Sequence, residues 1–163
     1  MSALLASVVI AAIAAGAAVV DFLYMRIPNT VPVALVAVFA LLVAPALPWS
    51  EIAMRLGVGG AVFVIGLGLY AWAILGAGDV KYLATAALLV PPGPVTLAMW
   101  LSLVAMAGLP LLALHRLAGW AGCAGRFPSF SEPGFFPYGP AISAGLIGIL
   151  LLTGGPFGPG GVP

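Results

Sequence analysis

Charge is what this sequence most lacks: five Lys and Arg and four Asp and Glu make up 6% of its 163 residues, where a soluble domain carries about a quarter. That scarcity excludes a water-soluble globule, because 64% of the residues are hydrophobic and the mean hydropathy is +1.27. Arg26, Arg55, Lys81, Arg116 and Arg126 stand against Asp21, Glu51, Asp79 and Glu132 for a formal charge of +1, with no basic run to hold nucleic acid. Cysteine and histidine are scarcer still. Cys123 alone makes neither an intrachain disulfide nor a multi-cysteine metal site, and with His115 the only histidine there is no ligand spacing for a metal. No metal and no cofactor is expected.

Long apolar stretches are what the chain has instead. Residues 2–20 carry no charge, and as a helix they reach about 28 Å, close to the thickness of a bilayer's hydrocarbon core. Further apolar segments run near Thr30 to Trp49, Leu56 to Leu75, Pro94 to Leu114 and Tyr138 to Leu152. A shorter one, residues 79–90, stops at Pro91, Pro92, Gly93 and Pro94. The expected fold is all-α, a polytopic membrane helix bundle of about six transmembrane helices over residues 1–153, with a disordered Gly/Pro-rich tail at 154–163. Six crossings put Arg26, Lys81, Arg116 and Arg126 on one side and Arg55 on the other. The excess of basic residues assigns the first side to the cytoplasm, and a re-entrant segment 79–90 would spoil that bias. Trp49, Trp72, Trp100 and Trp120 fall near segment ends, where indole rings favour the interface. Gly57, Gly59, Gly60, Gly66 and Gly68 allow close helix packing.

The chain has two aspartates, each where an apolar segment meets its cytoplasmic end. Asp21 closes the first segment and Asp79 opens the fourth. Two full crossings lie between them, so both carboxylates belong to the same face of the membrane. An ionisable group at membrane depth costs a few kcal/mol and is a functional candidate for that reason; the alternative is that each merely ends or caps a helix. The flanks are Asp21-Phe22-Leu23-Tyr24-Met25-Arg26-Ile27-Pro28-Asn29 and Gly76-Ala77-Gly78-Asp79-Val80-Lys81. Gly76 and Gly78 leave room for a substrate backbone to lie against the carboxylate. Lys81 and Arg26 are candidates for electrostatic support, or else anchors that set topology. Glu51 on the outer side and Glu132 in a cytoplasmic loop are expected to be solvated. His115 reads as interfacial, and Cys123, without a histidine partner, as no nucleophile.

Three motifs in this order carry a resemblance: D-x4-R-I-P-N at Asp21 to Asn29, GAGDVK at Gly76 to Lys81, and Pro137-Tyr138-Gly139-Pro140-Ala141-Ile142 before the last helix. Over about Ala15 to Gly145 the chain resembles the type IV prepilin peptidases, membrane aspartic proteases of the GxGD type. It looks most like the short branch that serves Flp, or tight-adherence, pili. The resemblance implies that Asp21 and Asp79 are the catalytic pair and that the substrates are Flp-type pilin or pseudopilin precursors. It implies a multi-pass protein of the bacterial inner membrane whose site faces the cytoplasm, with the lipid bilayer as its other partner. Two departures stand out. A basic residue common shortly after the first aspartate is missing from Phe22 to Met25, and the two Cys-x-x-Cys pairs of longer relatives, associated with N-methylation, are absent. The chain is therefore expected to cleave without methylating.

Two carboxylates held close share one proton, which supplies a base and an acid together. The ionised member activates a water, and the protonated member donates to the scissile carbonyl oxygen. A competing reading makes the chain a small ion-coupled transporter with Asp21 and Asp79 as cation or proton sites. The absence of repeated halves counts against it.

Overall fold

Six α-helices and no strand make up residues 2–120 and 136–158, the part of the chain that the computed structural model describes. They are α1 (Ser2–Tyr24), α2 (Thr30–Val38), α3 (Trp49–Ala71), α4 (Ala77–Ala87), α5 (Pro94–Trp120) and α6 (Gly139–Thr153). The α2 helix continues as a π turn, Phe39–Val43, and a 3₁₀ turn, Ala44–Ala46. Within α1, α3 and α5, the stretches Ala3–Tyr24, Trp49–Ala71 and Pro94–Leu114 are long and apolar enough to cross a membrane; Thr30–Ala46 and Gly139–Thr153 are shorter apolar helices. The all-helical membrane bundle expected from the sequence is the fold observed.

Glycines set how closely the helices approach. A Cβ on Gly59 would lie 2.7 Å from Leu88, and one on Gly66 would lie 2.8 Å from Val80. Partner numbers fall along α4 as they rise along α3, so these two helices pack antiparallel. Gly145 meets Val104 and Gly108 meets Ala141 in the same way, which makes α5 and α6 antiparallel. Only two of the five α3 glycines named in the sequence serve this packing. Gly57, Gly60 and Gly68 face open space, because helix rotation gives α4 the Gly59 and Gly66 stripe alone.

Short α4 raises a problem that α3 solves. A helix end leaves carbonyls without partners, and α4 finishes after only eleven residues. Arg55 reaches across from α3: its Nη1 donates to Leu88 O at 3.1 Å, its Nη2 to Pro156 O at 2.6 Å and to Glu51 Oε1 at 2.6 Å, and its Nε to the same Glu51 oxygen at 3.1 Å. The side chain is fully buried. A cation at a helix C-terminus also complements the helix dipole.

This arrangement corrects several sequence expectations. The third helix begins at Trp49 rather than near Leu56, because Glu51 and Arg55 pair at i and i+4 inside it. Glu51 is accordingly a salt-bridge partner and not a solvated charge. The proposed disordered tail starts with an ordered turn: Gly154 ends α6 at φ 73°, where a side chain would be strained, and Pro156 is buried with its carbonyl on Arg55. Residues 159–163 lie outside the described part. Trp100 is fully buried in the core rather than interfacial, and among the described residues its Nε1 has no hydrogen-bond partner. Trp49 and Trp72 are exposed.

Candidate active site

The helix ends opposite Arg55 converge on the two aspartates. Asp21 sits in the last turn of α1, and Asp79 in the first turn of α4. Both are buried, at 4% and 9% exposure, and both line one cavity of about 680 Å³. Asp21 lies close enough to Asp79 for their charges to interact.

The two carboxylates are held in matching fashion. Asp21 Oδ2 accepts the backbone N–H of Gly139, the first residue of α6, at 2.8 Å. Asp79 Oδ2 accepts that of Gly76, the N-cap of its own helix, at 3.0 Å. In both cases a helix start supplies an N–H that has no intrahelical acceptor. Helix N-termini also favour acidic side chains electrostatically. Two buried carboxylates in an apolar bundle thus rest on the N-terminal ends of α4 and α6.

Around them, the cavity wall is formed by the turn after α1 (Tyr24 to Asn29), Ala73 and Ile74 after α3, Gly76 to Gly78, and Phe136 to Tyr138. Phe136 and Tyr138 meet edge to face with ring centroids 5.0 Å apart. Met25 and Ala73 adopt left-handed backbone conformations, φ 53° and 56°, each just past a helix end.

Other residues singled out in the sequence fall as follows. Gly76 and Gly78 line the cavity, but their bare faces meet the protein itself. A Cβ on Gly76 would lie 2.9 Å from Asp79 Oδ2, and one on Gly78 would lie 3.3 Å from Ile27 Cβ and 3.4 Å from Ile27 O. Their smallness serves the seating of Asp79 and the join between α4 and the 25–29 turn. Lys81 does not line the cavity. Two positions apart on a helix, Lys81 and Asp79 point to different faces, and Lys81 Nζ donates to Asn29 Oδ1 at 3.0 Å instead. Arg26 is exposed on the cavity wall. Cys123, Arg126 and Glu132 lie outside the described residues.

Gly139 is the site residue that sequence reasoning passed over. A Cβ there would stand 2.7 Å from both Asp21 Cβ and Oδ2. Its signal was present in the Pro137 to Ile142 motif, without the partner that gives it a role.

The sequence profile of the type IV leader peptidase family matches residues 5–111, about two thirds of the chain, a span that contains Asp21, Gly76 and Asp79. Neither the curated proteins nor the solved structures yield a significant match.

Proposed function

The chain belongs to the type IV leader peptidase family, and from that membership we propose that this membrane protease is an aspartic endopeptidase with Asp21 and Asp79 as its catalytic pair. It removes the N-terminal leader from prepilins of the Flp type, or from pseudopilins, at the cytoplasmic face of the bacterial inner membrane. It does not methylate the new N-terminus. The single observation that carries this reading is the pair of buried carboxylates from two helices, lining one cavity and each fixed through one oxygen by a backbone N–H.

Fixing Oδ2 of each aspartate leaves Oδ1 for the chemistry. The ionised carboxylate takes a proton from a water, whose oxygen attacks the scissile carbonyl carbon, while the protonated carboxylate gives its proton to the carbonyl oxygen. The tetrahedral intermediate then collapses with cleavage of the C–N bond. The leaving nitrogen takes up the proton gained by the first carboxylate, and the second recovers its own from the hydroxyl that becomes the new carbonyl. Activity governed by such a coupled pair follows a bell-shaped pH profile whose limbs belong to the pair.

Co-expression with leader-bearing Flp-type prepilins tests the proposal. The chain should convert precursor to mature pilin, and Asp21→Asn and Asp79→Asn should each abolish conversion while still inserting in the membrane. Processing that persists in both variants would remove the aspartates from the mechanism.

A further inference from the structure

One turn deeper than the aspartates lies a pair of buried hydroxyls that the mechanism leaves unused. Tyr82 Oη and Ser143 Oγ are 2.8 Å apart, and the two residues are 0% and 2% exposed. Their positions follow from the helices that hold the carboxylates. Tyr82 is three residues beyond Asp79 on α4, and Ser143 is four residues beyond Gly139 on α6. Those spacings keep each hydroxyl on the same face of its helix as the group that builds the site. Asp21 is near enough to Tyr82 for its charge to act on the phenol.

A hydroxyl pair in an apolar bundle is a costly way to fill space. Phe and Ala would pack with no polar atom to satisfy, whereas a buried hydroxyl that loses its partner is penalised. The pair also does what apolar packing does not. A hydrogen bond has a preferred length and direction, so it fixes the spacing of two helices that side-chain packing alone would let slide. Here the two helices are α4, which carries Asp79, and α6, whose first N–H holds Asp21.

We propose that the Tyr82–Ser143 hydrogen bond sets the separation of the two carboxylates, making Tyr82 and Ser143 positioning residues for the peptidase reaction. The inference rests on Asp21 and Asp79 being the catalytic pair. Without the bond, α4 and α6 relax apart or along each other, and the carboxylates leave the geometry in which one water serves both. Substrate binding around the cavity rim is not altered, so the loss falls on kcat.

The test uses the purified full chain in lipid or detergent with a leader-bearing prepilin, comparing wild type, Tyr82→Phe, Ser143→Ala, the double variant and Ser143→Thr, with Asp79→Asn as control. Each single deletion of a hydroxyl should lower kcat about tenfold with KM unchanged. The double variant should be no slower than the slower single one, since both remove the same bond. Ser143→Thr, which keeps the hydroxyl, should recover most of the rate. Thermal unfolding of each variant separates loss of folded protein from loss of rate per folded molecule; if either single variant fails to fold, the other removes the same bond and carries the comparison of kcat with KM. The proposal is overturned if kcat per folded molecule stays within about twofold of wild type, if the losses multiply in the double variant, or if Ser143→Thr is as slow as Ser143→Ala. A wild-type chain that leaves the prepilin uncut, or an Asp79→Asn variant that still cuts it, instead defeats the reading of the site, and this inference with it.

Discussion

Gly139 and Asp21, 118 positions apart in sequence, meet so closely that the N–H of the first donates to Oδ2 of the second at 2.8 Å and no side chain fits between them. Gly139→Ala would drive a methyl group into the carboxylate. The substitution should lower peptidase activity about a hundredfold by displacing Asp21. Gly68→Ala, which meets open space, should leave activity unchanged. Prepilin conversion by the two variants at matched expression makes the comparison.

The contrast among α3 glycines extends to stability. Gly59→Val and Gly66→Val should each cost about 1–3 kcal/mol by overpacking against Leu88 and Val80. Gly57→Val and Gly60→Val should change stability little, since both face open space. Unfolding midpoints in a fixed detergent would show the division, and equal losses at all four positions would contradict the observed rotation of α3.

Arg55→Met should destabilise the bundle by about 3–5 kcal/mol, because it removes one member of a buried ion pair and strips two carbonyls of their donor. Thermal unfolding reads this directly. The aspartates lie at the other end of α4, so the part of Arg55→Met that remains folded should keep its activity per molecule.

Ala73 holds a left-handed conformation with φ 56°, which an alanine adopts at a cost of about 1–2 kcal/mol. Ala73→Gly should therefore be neutral or stabilising by up to about 1 kcal/mol after the entropy of a free glycine is counted. At Ala84, inside α4, the same replacement should lose about that amount. Unfolding midpoints that fall equally for both would contradict strain at Ala73.

Orientation in the membrane has its own check. In a Cys123→Ser background, a cysteine at exposed Tyr24 marks the aspartate end and one at exposed Trp49 marks the Arg55 end. An impermeant thiol reagent added to intact cells should label position 49 and spare position 24. The reverse pattern would turn the site outward.

The parts of this site legible in the sequence were those that hydropathy makes expensive. Asp21 and Asp79 interrupt apolar segments, and a charge in such a place has few bland explanations. What stayed hidden depends on backbone atoms and on helix rotation. Arg55 looked like an outer-face charge because two of its three partners are the main-chain carbonyls of Leu88 and Pro156, which leave no mark in a sequence. Gly139 lacked a role until α6 was packed on α1. The glycines of α3 look alike in sequence and differ only in which of them α4 covers, and Trp100 stands toward a segment end in sequence although its indole is buried in the core.

Arg55 also gives the bundle an order of completion. A ribosome makes α3 well before the turn at Pro156, 101 residues further on, so the newly inserted guanidinium must wait with only Glu51 for company. Leu88 arrives next and takes one N–H; Pro156 takes another only after α6 has been made. During that wait the growing chain holds a charge that lipid tolerates poorly. A chain that ends before Pro156 leaves one of the three partners of Arg55 unmade, so the side chain that closes off α4 also ties the first half of the bundle to its last turn.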